Sequence, residues 1–448
     1  DRPAALPRPL ESPATMPQPA GQQDTRITHV RGRRVWDSRG RPTVEAEVTL
    51  GDGSVGRAIA PAGASRGSRE ALELRDGGTR LGGLDVGLAV AGMNGEIAAL
   101  LHGRDAADQA GVDGALIACD GTPAKARLGG NAIVATSLAV LQAAATARGL
   151  PLWRHLAGDD PVSLPLPEIQ IFGGGAHAGR RVDIQDFMVM PLGAASFAQA
   201  LEMTAEVYAA AGALMQAAGK RQGVADEGGY WPAFAANDEA LGMLVRAIEH
   251  AGLRPGTDMA ISLDIAASEF GSNGRYRLAL ETRELDTAQL IDLLGGWLDA
   301  YPIVSIEDPL AEDDDAGMVE FTRRFGRRVQ IIGDDYLVTA AARIEHAAAL
   351  PACNCALIKP NQAGTVSETL SAMQAARRAG WSTVVSARSG ETEDVAIAHL
   401  AVGWNAAQLK VGSFARSERM AKWNECLRIE EALGARAQFA GRAALAID

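Results

Sequence analysis

Cysteine is scarce in this chain of 448 residues, with only Cys119, Cys353, Cys355 and Cys426. Four thiols without paired spacing build no disulfide framework. Cys353 and Cys355 lack the second pair or nearby His that a zinc site needs, so a reduced, cytoplasmic setting is expected. Positive charge is also short: 43 Lys plus Arg against 55 Asp plus Glu leave a net charge of −12. That deficit argues against a nucleic-acid partner, whose phosphates need a basic surface, but allows a small anion held by a few local cations. No stretch approaches 18 uninterrupted apolar residues, which argues against a membrane partner. What is plentiful is core material, 47% apolar with 22% charged, enough to exclude global disorder.

A basic start and an apolar h-region are missing from the N-terminal segment, so export is not expected. Residues 1–25 carry repeated prolines and read as a disordered tail. From Ile27 the pattern changes to short alternating runs. The run Thr43 to Leu50, the turn Gly51-Asp-Gly53 and the run Val55 to Ala60 predict a β-hairpin. A Gly- and Ala-rich loop, Pro61 to Gly67, and Ala-rich helical sequence follow, giving an expected α+β domain over residues 26–150. The stretch Ala157 to Pro167 marks a junction to a second domain over residues 160–435.

In that second domain, β-type runs end in Asp264, Glu307, Asp334, Lys359, Ser386 and Lys410, separated by 43 and then 27, 25, 27 and 24 residues. A strand, a helix and two loops need about that length. The rhythm predicts an α/β fold with a (β/α)8-type barrel, whose chemistry lies at the C-terminal ends of the strands. Any one of Asp264, Glu307 and Asp334 reads equally well as a helix cap. Three in successive units, followed by two lysines, point to more than capping. Converging carboxylates repel one another unless a cation joins them, and hard oxygen ligands favour magnesium. A lysine across the same mouth can serve as a base or hold an anion, which suits removal of a proton next to a carboxylate.

Nine strings then carry a resemblance: Ser38 to Glu45, Gly63 to Gly67, His177-Ala-Gly179, Asp226-Glu-Gly-Gly229, Ser305-Ile-Glu-Asp-Pro309, Gly333-Asp-Asp335, Lys359-Pro-Asn-Gln362, Arg388 to Asp394 and Arg416-Ser-Glu-Arg419. In order and content they resemble the enolase family, whose pairing of a lysine base with magnesium is an established pattern. The resemblance implies an N-terminal α+β domain, a modified TIM-type barrel, and a homodimer or ring of dimers. It implies two magnesium ions, with Asp264, Glu307 and Asp334 as ligands of the first and Ser65 of the second. It implies Lys359 as the base at carbon 2 and Glu227 as the general acid, with Lys410 facing the substrate carboxylate. Arg388 and Ser389 match phosphate contacts, and His177, Gln185 and Asp186 also fall at site positions of the family.

Two site positions depart from the family pattern. Ala387 stands where the family has His in a Ser-His-Arg-Ser-Gly string, and Asp186 stands where it has Glu. Arg66, Arg69, Arg180 and Arg181 add cations, and Tyr230-Trp231 follows the Glu227 string. These changes predict a specialised enzyme on a phosphorylated or phosphonate substrate; within the family the chain then most resembles the carboxyphosphonoenolpyruvate synthase type of antibiotic biosynthesis. The alternatives are the ordinary glycolytic interconversion of 2-phosphoglycerate and phosphoenolpyruvate, and a catalytically silent paralogue.

Overall fold

The alternation over residues 27–59 does form a sheet. Strands β1 (Ile27–Trp36), β2 (Pro42–Leu50) and β3 (Val55–Ile59) pair antiparallel in that order. The computed structural model describes residues 24–64, 66–445 and 447; the expected tail as far as residue 23, and Ser65, lie outside the described residues. Asp24 and Thr25, expected in the tail, are tied to the sheet domain: their carbonyls accept the N–H groups of Asp52 at 3.0 Å and Ala106 at 2.9 Å.

The helix Gly130–Ala147 packs across β2 and β3, and at Gly56 the approach leaves no room for a Cβ. It is long and apolar enough to cross a membrane by composition, yet 89% of it is buried in this domain. Alternation of Ala with polar Asn131, Thr136, Ser137 and Gln142 hides it from a search for unbroken apolar runs.

The barrel strands are β4 (Leu166–Gly173), β5 (Asp186–Met190), β6 (Ala260–Asp264), β7 (Ile303–Glu307), β8 (Gln330–Gly333), β9 (Cys355–Ile358), β10 (Ser382–Ser386) and β11 (Gln408–Ser413). They form one closed ring in chain order, with β11 pairing back to β4. β5 runs antiparallel to both neighbours, and the rest are parallel. The chain beyond residue 435 also joins the barrel: Ala444 and Leu445 pack with Leu166, Met190 and Ala260 at the end away from the mouth.

The barrel interior is unusually polar below the mouth. Gln330 and Gln408 exchange side-chain hydrogen bonds at 2.9 and 2.6 Å, and Ser262 donates to Glu168 at 2.9 Å. The other oxygen of Glu168 has no hydrogen-bond partner among the described residues, and the side chain is fully buried. Burial pushes this carboxyl up to about 7, against the pull of Lys410 and Ser262. A raised carboxyl favours the folded state fully below its unfolded value near 4.5, and that contribution is lost as pH rises through 7. Glu168→Gln, which never ionises, should therefore gain stability over the parent between pH 5 and 8, by on the order of 3 kcal/mol. Denaturant unfolding at the two pH values checks this, and a pH-independent difference would count against it.

Candidate active site

Parallel strands deliver their C-terminal ends to one rim, and the register fixes who meets whom. Glu307 and Asp186 each pair with Asp264 across neighbouring strands, and Lys410 pairs with Ser386 on one side and Glu168 on the other. Asp334 and Lys359 are the first residues past β8 and β9. A single pocket is lined by His177, Gln185, Asp186, Glu227, Asp264, Lys359, Ala387, Arg388, Ser389 and Lys410. A wider hollow of about 830 Å³, bordered by Phe270, Arg275, Arg277 and Glu284, gathers no such acid–base set.

Two lysines bridge the carboxylates. The ammonium of Lys410 lies 2.9 Å from Asp264, 2.7 Å from Glu307 and 3.6 Å from Asp186. Burial opposes its charge, but Asp264 and Glu307 hold it well above the ordinary lysine range. Lys359 donates to Asp334 and is raised in the same way, burial again opposing. Burial and the charge of Asp264 push Glu307 toward holding a proton. One of its oxygens is buried without a hydrogen-bond partner among the described residues. Three all-oxygen side chains, one with an unused acceptor, fit a hard divalent cation. An all-carboxylate triplet that includes Asp334 lies one step around the rim: Asp308, Asp334 and Asp335 place oxygens within 4.8 Å of one another. Asp308 there accepts the backbone N–H groups of Asp334 at 2.9 Å and Asp335 at 2.7 Å, which fixes the turn that presents Asp334.

On the opposite wall, the short turn Gly175–Ala178 ends at Gly179 with φ 58 and holds His177 inward. Its Nδ1 donates to Asp186 at 3.0 Å, its Nε2 lies 3.0 Å from the Ser389 hydroxyl, and Glu227 stands 3.7 Å away. Burial resists a charge on this ring, but Glu227 and Asp186 outweigh it and raise His177 to about 9. Asp186 in turn is held at about 2, burial being overcome by His177.

Residues 27–156 match the family model "Enolase, N-terminal domain", and residues 161–447 match "Enolase, C-terminal TIM barrel domain". The chain is 48% identical over 424 residues to "Enolase 1" of Desulfitobacterium hafniense (strain Y51), covering 94% of this chain and 97% of that protein. The chain belongs to the enolase family.

As an enolase-family member it brings the sequence-derived site residues to one mouth, with Ser65 outside the described residues. The added arginines do not join them. Arg180 pairs with Glu269 at 2.7 Å and Arg66 with Glu73 at 3.8 Å, and neither Arg69 nor Arg181 lines the pocket. Exposed guanidiniums find nearby rim carboxylates at no desolvation cost. Tyr230 stacks on Tyr208 with ring centroids 4.5 Å apart, away from the pocket, whereas Trp231 lies against Gly179 behind the His177 turn. Ala387 does line the pocket, and its backbone N–H donates to the Lys410 carbonyl at 2.8 Å.

Sequence reading missed the residues that orient these groups. Glu70 is buried and binds both Arg388 guanidinium nitrogens, at 2.9 and 3.2 Å. Gln362 donates to Asp334 at 2.8 Å, and Gln170 donates to Asp186. Gln362 closes a string already singled out, but Glu70 carried no signal, because its partner is 318 residues away.

The His177 arrangement has a direct spectroscopic consequence. A raised imidazole stabilises the fold fully below about pH 6.5, and that contribution disappears as pH passes about 9. NMR titration of the metal-free protein should show His177 charged at neutral pH, with Asp186→Asn lowering its midpoint by at least one unit. A midpoint near 6.5 in the parent would exclude the paired imidazolium.

Proposed function

We propose that this enolase-family lyase interconverts 2-phosphoglycerate with phosphoenolpyruvate and water. The observation that carries the reading is the placement of Lys359 and Glu227 on one small pocket together with Lys410 and Arg388. Lys359 would take the proton from carbon 2, and Glu227 would deliver one to the departing 3-hydroxyl. Lys410 would face the carboxylate, and Arg388 and Ser389 would hold the phosphate, Arg being suited to bidentate oxyanion binding. His177, Gln185 and Asp186 would complete the wall around the leaving hydroxyl. Asp264, Glu307 and Asp334 would hold the first magnesium ion and Ser65 the second. When bound, these ions would neutralise the negative charge that builds on the substrate carboxylate and take over the carboxylates now raising both lysines. Burial of the two lysines matters here, because desolvation lowers an amine once its anionic partners are occupied. The 48% identity to a protein named Enolase 1 supports the ordinary reaction.

A second reading, the carboxyphosphonoenolpyruvate synthase type, moves behind the first and rests on two side chains. Ala387 supplies only a methyl group to the pocket wall where the family pattern has an imidazole, and Asp186 is shorter than the family Glu. A pocket altered there would take a differently substituted phosphonate or phosphate. Self-association as a dimer or ring of dimers and a reduced cytoplasmic setting complete the proposal. The first has its support in the family and the second in four unpaired cysteines.

An assay with 2-phosphoglycerate and magnesium separates the two readings: vigorous phosphoenolpyruvate formation supports the first and removes the second. Under the first, Lys359→Ala should abolish exchange of the carbon-2 proton with solvent, a loss of about 10³-fold or more. Undiminished exchange would refute Lys359 as base. Under the second, Ala387→His should raise hydratase activity, and no change would leave the substitution without a role in specificity.

A further inference from the structure

The string Arg416-Ser-Glu-Arg419 carried part of the family resemblance but no role. It opens the helix Ser417–Leu433, directly after β11. Arg419 is fully buried, and its guanidinium donates to three main-chain carbonyls: Arg388 at 2.6 Å, Val411 at 2.9 Å, and Ser389. One turn on, buried Lys422 donates to the Thr392 carbonyl at 2.6 Å and pairs with Glu391 at 3.0 Å. The same Glu391 accepts the Arg388 backbone N–H at 3.0 Å. Two cations on one helical face thus grip the back of the loop that presents Arg388 and Ser389.

Arg416 reaches the other way. Its side chain donates to the carbonyls of Ala225 at 3.0 Å and Val224 at 3.3 Å, on the loop leading into Glu227. Its backbone adopts φ 72, which non-glycine residues seldom do unless surrounding contacts demand it. Those contacts belong to the acid loop. Ser413 N–H donates to the Glu227 carbonyl at 2.8 Å, and a Cβ on Gly228 would meet the Ala415 carbonyl at 2.5 Å.

We propose that the turn Arg416 to Lys422 is a positioning bracket, its Arg416 arm setting the loop of Glu227 and its Arg419 arm setting the loop of Arg388 and Ser389. The buried carbonyls of the Arg388–Ser389 loop find their donors in the Arg419 fork, while the exposed Arg416 side chain ties the carbonyls of Ala225 and Val224 nearer the surface, so both loops are fixed against one helix end. The acid and the anion-binding groups then keep one separation across the mouth, where misplacement by about 1 Å is costly. Because the arms end on different loops, losing them has different consequences.

This inference rests on the dehydration reading, and the test keeps the two apart by pairing kinetics with calorimetric binding of inorganic phosphate to the full chain. Arg419→Gln should raise KM for 2-phosphoglycerate and weaken phosphate binding by about tenfold, with kcat changed less than about threefold. Arg416→Gln should lower kcat by about tenfold with KM and phosphate affinity within about twofold of the parent. In an Arg388→Gln background, Arg419→Gln should add no further loss of phosphate affinity. Should Arg419→Gln not fold, Lys422→Met, which loosens the same loop, should give the milder rise in KM. Equal phosphate affinity in parent, Arg416→Gln and Arg419→Gln overturns the bracket, as do additive losses in the double variant. A parent chain that binds phosphate but leaves 2-phosphoglycerate untouched overturns the dehydration reading alone, and one that binds neither overturns both.

Discussion

Charge of both signs, taken out of water at one barrel mouth, is the constraint on which the rest of this molecule depends. Asp264, Glu307, Asp334 and Asp186 cannot share so small a buried volume as bare anions. Lys359, from the strand beside that of Asp334, and Lys410, from across the ring, offset part of that charge, and a closed barrel is what brings Lys410 to Asp264 and Glu307. The balance remains short of positive charge, as the proton-holding tendency of Glu307 shows. A hard divalent cation held by Asp264, Glu307 and Asp334, as proposed, would answer that shortage.

Around this centre the structure spends much of its buried polarity on orientation. Arg388 faces the mouth because Glu70 and Asn361 hold its guanidinium, and Asp334 because Gln362 and the Asp308 turn hold its carboxylate and backbone. Such supports are worth more than their individual hydrogen bonds, since each fixes a group whose proposed role depends on its position. The polar interior beneath, with its paired glutamines and Glu168, extends the same network toward the barrel floor.

How much of this could be read in the chain depended on distance along it. The rhythm of strand ends is local, and it carried the barrel and five polar termini, Asp334 and Lys359 sitting one residue beyond their strands; Lys410 instead lies inside β11, which runs on to Ser413. The β2–β3 hairpin, with its Gly51-Asp-Gly53 turn, was legible for the same reason. The antiparallel β5 was not, because strand direction follows from connection length and packing and leaves the alternation unchanged. Glu70 and Arg419 stayed silent because each is defined by a partner far away in sequence or by main-chain carbonyls that no pattern records. The extra arginines misled for the opposite reason: proximity in sequence to a site residue says nothing about which way an exposed side chain turns.

The ring closes by pairing β11 with β4, which sets Lys410 opposite Glu168. That contact joins residues about 240 positions apart, so the loop-closure entropy must be met before the last strand can dock. During synthesis, the carboxylate wall is made long before Lys410 arrives to offset it. A barrel lacking β11 therefore leaves a cluster of repelling anions without Lys410 and the edge of β4 unpaired. One strand thus closes the ring and brings the ammonium that the carboxylates need.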